Sequence, residues 1–88
     1  MRKNYEINLL REFLKRYNAK IIIIEYYKKI FGNIILKFKY KDKIYHFITD
    51  RGEIYFNDKL VCDNSYITKR YDTVNKLIQV IDEKVFQI

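Results

Sequence analysis

The chain is poor in the residues from which many common functional sites are built. It has no proline, two glycines, one histidine and one cysteine among 88 residues. Cys62 alone cannot form an internal disulfide or a cysteine-built zinc site, and a single cysteine fits a reducing compartment. The two glycines lie twenty positions apart, which excludes a glycine-rich phosphate-binding loop. We therefore expect no cofactor and no bound metal.

Long apolar runs are also missing. The longest uninterrupted run is Ile21–Ile24, far below the roughly 20 residues that a membrane-spanning helix needs. The basic residues 1–4 precede a polar amphipathic stretch instead of an apolar one, which does not fit a secretory signal. The sequence therefore predicts a soluble, cytoplasmic protein with no membrane partner.

Large apolar and aromatic residues are abundant for so short a chain. Hydrophobic residues make up 49% of it, including nine tyrosines and six phenylalanines, and they can fill a small core densely. A single domain spanning residues 1–88 is expected. Phe, Ile, Lys, Asn and Tyr, which AT-rich codons encode, account for 50 of the 88 residues. This bias indicates a gene of a low-GC bacterium, virus or mobile element, and the small size favours a phage-type accessory protein.

The spacing of apolar residues predicts a helix near each end of the chain. Between about Asn4 and Tyr17 the apolar residues recur at every third or fourth position, and Asn18 is a suitable stop. Asp72 or Thr73 is expected to cap a second helix. The apolar stripe of that helix comprises Val74, Leu77, Ile78, Ile81 and Val85.

Strands are predicted between the two helices. β-branched residues begin a strand at Ile21, residues 34–41 alternate with a period of two, and residues 44–49, 53–56 and 59–62 are further strand segments. The predicted fold is therefore α+β: an N-terminal helix, an antiparallel sheet of three to five strands, and a C-terminal helix. Both helices are expected on one sheet face, which leaves the other face to water or a partner.

The register of one hairpin can be argued from its side chains. A two-residue loop at residues 42–43 would pair Tyr40 with Tyr45 and gather the aromatic residues on one face. Because a one-residue slip turns every side chain to the other face, we prefer this even loop. It predicts that His46 lies on the outer face, beside Lys37 and Lys39.

Positive charge is concentrated in the first half of the chain. Residues 1–44 carry twelve Lys/Arg and four Asp/Glu, whereas residues 45–88 carry six and seven. A positive face attracts phosphate groups, and tyrosines near it could stack on unpaired bases. The alternative is that these lysines are merely solvated and protect strand edges. The candidate nucleic-acid or partner-binding residues are Lys37, Lys39 and Lys41 in a row on the open sheet face, Lys28, Lys29 and Lys43 near its ends, and Arg11 and Lys15 on the first helix.

Catalytic residues are harder to defend. His46 would need a partner within hydrogen-bond reach to act as a general base, and a solvent-facing strand residue is the simpler interpretation. Cys62 would need an activating base, and otherwise it is a half-buried strand residue. The acids at positions 50, 53, 58 and 63 fall in turns, where turn geometry explains them.

The sequence thus favours a small non-catalytic binding protein, encoded by a phage or mobile element. Its expected role is inhibition of a host nucleic-acid-handling protein, such as a defence nuclease, or of a nucleoprotein complex. The first alternative is a stand-alone nucleic-acid-binding domain that contacts RNA or DNA through the basic sheet face. The second is a small ribonuclease or toxin that uses His46. A homodimer formed through the open face is a further expectation about partners.

Overall fold

Two helices flank five strands in the computed structural model, which describes residues 5–27, 29–30, 32–63 and 72–87. The C-terminal helix continues into a π-helical turn, Asp82–Phe86. The predicted α+β fold is confirmed, with five strands in the sheet. In chain order the elements are helix α1 (Tyr5–Arg16), strands β1 (Lys20–Tyr27), β2 (Asn33–Tyr40), β3 (Lys43–Asp50), β4 (Glu53–Phe56) and β5 (Lys59–Cys62), and helix α2 (Asp72–Ile81).

Helix α1 ends at the position that its sequence predicts. Asn18 has a positive φ of 58°, a conformation that asparagine tolerates better than most residues. The Ala19 N–H donates to the Leu14 carbonyl at 3.1 Å, and the Asn18 N–H donates to the Lys15 carbonyl at 3.0 Å. This pair of bonds satisfies carbonyls at the end of the helix. The chain then reverses directly into β1.

The five strands form one antiparallel meander in the order β1-β2-β3-β4-β5. Two-residue turns join the last four strands, and both residues of each turn have positive φ. This combination is that of a type I′ turn, whose twist matches the twist of the strands that it joins. The turns are Lys41-Asp42, Arg51-Gly52 and Asn57-Asp58.

The β2–β3 hairpin differs in register from the prediction. Tyr40 lies opposite Lys43, so the predicted pairing of Tyr40 with Tyr45 is wrong by two positions. The loop begins one residue earlier than predicted because Lys41 and Asp42 both adopt positive φ, at 49° and 67°. The shift is even, so the side chains that remain in the two strands keep their predicted faces.

The core lies between one sheet face and both helices. Aromatic rings stack within it, with Phe38 and Phe47 parallel at 6.1 Å and Phe47 and Phe56 parallel at 4.6 Å. None of the helices in the described part of the chain is long and apolar enough to cross a membrane. The fully buried apolar side chains are Leu10 and Leu14 from α1, Ile34, Leu36, Phe38, Phe47 and Ile54 from the sheet, and Leu77 and Ile81 from α2.

Candidate binding surface

The sheet face that points away from the helices is open, and no described helix packs on it. Ile44 and Leu60 on this face are 56% and 51% exposed, whereas Ile35, Ile48 and Tyr55 are half-buried. We call this surface the open face. The register places on it Lys20, Ile23, Glu25 and Tyr27 from β1, Asn33, Ile35, Lys37 and Lys39 from β2, Ile44, His46, Ile48 and Asp50 from β3, Glu53 and Tyr55 from β4, and Leu60 from β5.

One end of the open face is basic. Lys20 lies directly opposite Lys39, and Lys37 lies directly opposite His46. His46 is therefore where the sequence predicted it. Like charges directly opposite each other destabilise a strand pair, so a bound anionic group would offset a local cost at Lys20 and Lys39. Sequence reasoning missed Lys20, because only the register shows that this one lysine of β1 faces Lys39.

The basic end continues around the β1 edge onto α1. A shallow groove of about 510 Å³ between α1 and β1 is lined by Arg11, Lys15 and Lys20. Glu12 is the one acid that lines the same groove. Because Lys20 belongs to both the groove and the open face, the two predicted groups of basic residues form one surface. We call it the basic band, and its residues are Arg11, Lys15, Lys20, Lys37 and Lys39.

Two predicted lysines of the β2–β3 hairpin lie elsewhere. Lys41 belongs to the turn instead of the open-face row, and its Nζ atom stands 5.3 Å from the centroid of the Tyr40 ring. Lys43 lies opposite Tyr40, whose ring is on the helix side of the sheet. The predicted row of Lys37, Lys39 and Lys41 therefore shortens to its first two members, because the loop begins one residue earlier.

The remaining predicted lysines are not part of the basic band. Lys29 is exposed in the loop between β1 and β2, next to the start of β2. Lys39 lies six positions after Asn33 in β2, which corresponds to roughly 20 Å of strand. Lys29 is thus at the far end of the sheet from the basic end. Lys28 lies outside the described residues.

The middle of the open face is apolar. A row runs across the strands in which Ile35 is opposite Ile48, Ile48 is opposite Tyr55, and Tyr55 is opposite Leu60. Beside this row lies a shallow groove of about 310 Å³, whose apolar lining includes Ile30. The apolar row lies between the basic end and the opposite end of the face.

That opposite end is acidic: it holds Asp50, Glu53 and Tyr27, and the hydroxyl of Tyr55 reaches it from the apolar row. The Tyr27 hydroxyl donates to Glu25 Oε1 at 3.0 Å, and the Tyr55 hydroxyl donates to Glu53 Oε1 at 2.9 Å. These hydrogen bonds, with smaller contributions from desolvation and the nearby negative charge, raise the pKa of both phenols. The open-face tyrosines are therefore held by carboxylates and lie away from the lysines on which a stacked nucleotide would depend.

Both edges of the sheet are protected against pairing with another strand. The pairing of β1 shifts between Ile21 and Ile23, which leaves Ile22 as a bulge residue. Strand β5 has four residues and its own register shift next to Leu60. Bulges, short edge strands and edge lysines all discourage edge-to-edge pairing. The available surface is thus the open face instead of a strand edge.

The described residues offer little for catalysis. They contain no group of three or more His, Cys, Asp and Glu side chains that could hold a metal ion. His46 is on the open face, whereas Cys62 is buried in the core on the other side of the sheet, so the two cannot form a nucleophile–base pair. The buried Cys62 thiol donates to the Asp63 carbonyl at 3.3 Å, and it is more buried than the sequence suggested.

Comparison of the chain with protein-family models, with curated proteins and with solved structures finds no match. Arguments about function therefore rest on the surfaces described above. They define an α+β protein with one sheet face covered by helices and the other divided into basic, apolar and acidic parts.

Proposed function

We propose that this chain is a non-catalytic binding protein that docks through its open face on a nucleic-acid-handling protein or nucleoprotein complex and inhibits it. The observation that supports this proposal is the uncovered sheet face, which joins exposed apolar side chains to a lysine cluster. Exposed apolar patches on small proteins mark interaction sites. The lysine cluster requires a contact surface with acidic groups or phosphates.

The neighbours of the lysines favour a protein surface over bare nucleic acid. Ile23 lies opposite Lys37, and Ile44 lies opposite Lys39. Burial of an isoleucine side chain against apolar groups of a protein is favourable, but isoleucine has no aromatic ring on which an unpaired base could stack. The aromatic planes of the open face are Tyr27 at its acidic end and Tyr55 in its apolar row, and neither lies opposite a lysine. A partner with apolar residues beside negative charge therefore fits this surface best.

The proposed source and role draw on size and composition. A chain of 88 residues rich in AT-coded residues suits a phage or mobile element, whose accessory proteins act on host machinery. A protein that docks through a whole sheet face blocks access to the surface that it covers. Blocking of this kind is sufficient for inhibition and needs no catalytic step. We propose a host defence nuclease, alone or with its bound nucleic acid, as the target.

Affinity capture with charge-matched variants tests the proposal. Ile44→Glu/Leu60→Glu places two acids on the open face, and Leu9→Glu/Asn75→Glu places two acids on exposed helix positions. From nuclease-treated extracts of the cells that carry the gene, we expect the wild type and the helix variant to retain a nucleic-acid-handling protein that the open-face variant loses. Adding wild-type protein should also inhibit that partner. Capture of the same partner by both double variants would contradict docking through the open face.

The basic band supports a second candidate, a stand-alone nucleic-acid-binding domain. The specific observation is the direct Lys20–Lys39 pair, which continues into the groove beside α1 and could follow a phosphate backbone. Fluorescence anisotropy with single- and double-stranded RNA and DNA at about 50 and 200 mM salt tests it, because phosphate contacts weaken steeply with salt. Binding should fail in Lys37→Glu/Lys39→Glu and persist in Lys59→Glu/Lys84→Glu. No binding to any of the four nucleic acids would exclude this candidate.

A further inference from the structure

A small cavity lies on the helix side of the sheet, at the corner where the β2–β3 hairpin meets the C-terminal π-helical turn. Its volume is about 260 Å³, just below the roughly 300–1,000 Å³ of pockets that hold drug-sized ligands. It therefore suits one small planar group. We call it the corner pocket, and its lining residues are Tyr40, Lys41, Lys43, Tyr45, Val85 and Phe86.

Three aromatic rings form the walls of the corner pocket. The Tyr40 and Phe86 rings are nearly perpendicular, at 87°, with centroids 4.7 Å apart, so this contact occupies at most one face of Tyr40. Tyr45 is held in place by Phe38, whose ring stacks on it at 5.6 Å. Tyr40, Tyr45 and Phe86 are all only half-buried. The rings are therefore fixed by the core yet present aromatic surface to a ligand.

Phe86 is itself anchored from behind. Its ring stacks on Tyr17 at 4.0 Å with an interplanar angle of 5°, and it meets Phe13 edge-on at 5.6 Å. The Tyr17 hydroxyl donates to Asp82 at 3.3 Å, and the Gln87 side-chain amide also donates to Asp82. The wall that Phe86 supplies is thus held by α1 as well as by the end of α2, so it is formed before any ligand binds.

Positive charge stands at the same corner. Lys41 is held in the hairpin turn with a φ of 49°, and its Nζ atom stands over the Tyr40 ring, 5.3 Å from the centroid, so the ammonium group must swing aside for a base to stack on that face. Lys43 lies opposite Tyr40 on the neighbouring strand. Both lysines are exposed, and Asp42 is the acid between them in the chain. The corner therefore combines aromatic planes with two cations against one carboxylate, a combination that the open face lacks.

We infer that the corner pocket binds a nucleoside phosphate, with the base stacked on Tyr40 and the phosphate on Lys41 and Lys43. Stacking of a base on an aromatic ring and attraction of phosphate to lysine are the two contacts that recur in single-strand binding sites. A free nucleotide and an unpaired nucleotide of a strand share this chemistry. The inference goes beyond docking through the open face, because its residues lie on the other side of the sheet.

Titration of isotopically labelled protein with adenosine monophosphate, adenosine, inorganic phosphate and a ten-nucleotide single-stranded oligodeoxythymidine tests the inference. We expect adenosine monophosphate to shift the amide resonances of residues 40–45 and to bind about tenfold or more tighter than adenosine or phosphate, because two kinds of contact act together. Tighter binding of the oligonucleotide at the same resonances would identify a strand as the ligand, and equal or weaker binding would identify the free nucleotide.

Matched variants separate the corner pocket from the open face. Lys41→Gln/Lys43→Gln should weaken the binding of adenosine monophosphate about tenfold. Lys37→Gln/Lys39→Gln removes the same charge from the open face and should leave this binding unchanged. Tyr40→Leu should weaken the nucleotide without changing the affinity for phosphate. Equal binding by the two lysine variants, adenosine monophosphate shifts that leave residues 40–45, 85 and 86 unchanged, or phosphate binding as tight as that of the nucleotide would each overturn the inference. None of these results depends on whether the open face binds a protein.

Discussion

A single buried hydroxyl illustrates how this fold depends on particular residues. Thr49 is 1% exposed, and its Oγ1 atom accepts the Ile34 N–H at 2.9 Å. Thr49→Val keeps the shape but leaves that N–H without its acceptor, which should lower the free energy of unfolding by about 1–3 kcal/mol. Thr49→Ser keeps the hydroxyl and should cost about 1 kcal/mol or less for the lost methyl group. Urea unfolding measures both changes.

Amide exchange provides a local readout of the same bond. In Thr49→Val the Ile34 amide should exchange faster relative to its neighbours, and in Thr49→Ser it should stay protected. If Thr49→Val were as stable as the wild type, with Ile34 still protected, the hydroxyl would not have the structural role that its distance indicates.

The two open-face tyrosines should titrate above the ordinary phenol pKa of about 10. A folded-state pKa that is raised favours the neutral phenol, so this contribution to stability is present below the unfolded pKa and disappears as pH rises through the folded pKa. Glu53→Gln should return the pKa of Tyr55 towards its ordinary value and leave Tyr27 unchanged, and Glu25→Gln should do the reverse. A titration of ¹³C-labelled tyrosine observed by NMR measures each phenol separately. A wild-type Tyr55 that titrates at the ordinary value would contradict the hydrogen bond to Glu53.

At the scale of elements, each two-residue hairpin turn holds both of its residues at positive φ, a conformation that costs glycine less than any other residue. Asn57 and Asp58 have φ angles of 48° and 71°, and an Asn-Gly pair is the preferred sequence for such a turn. Asp58→Gly should therefore raise the free energy of unfolding by about 0.5–1 kcal/mol, since glycine adopts positive φ without steric cost. Asn75→Gly, at an exposed position inside α2, should instead lower it by about 0.3 kcal/mol. Thermal unfolding that shows Asp58→Gly to be less stable than the wild type would contradict the turn type.

The sequence predicted the existence of the elements well, because the periodicities of α1 and β2 reflect which side chains are buried. It predicted the faces of the central hairpin for the same reason, so His46 and Lys37 lie together as expected. The exact register was wrong because it depends on turn conformation, and Lys41 gave no indication of its positive φ. The alternation of apolar and polar residues constrains only whether a register shift is odd or even.

The candidate surface was predicted in part for a related reason. Arg11, Lys15, Lys37 and Lys39 belong to one basic band, but the residue that joins them is Lys20, the first residue of β1. Its position beside both α1 and Lys39 follows from the pairing of β1 with β2, a contact between distant parts of the chain. Local periodicity carries no information about such contacts.

At the scale of the whole molecule, charge and apolar surface are ordered along the sheet. The open face runs from Lys37 and Lys39 through Ile35 and Ile48 to an acidic end, whereas bulges and short strands protect the two edges. A partner that binds this face must present negative charge at one end and apolar side chains beside it. The corner pocket has a different chemistry and lies behind the sheet, so the two surfaces can be changed independently.

The dissociation constant of the purified complex with the captured partner tests open-face docking most directly. Isothermal titration would compare the wild type, Ile44→Glu/Leu60→Glu and Leu9→Glu/Asn75→Glu at about 50 and 200 mM salt. Because buried apolar anchors dominate interface energy, the open-face variant should bind about a hundredfold more weakly than the helix variant. Salt should change the wild-type affinity by less than about tenfold. Equal dissociation constants for the two double variants would contradict docking through the open face.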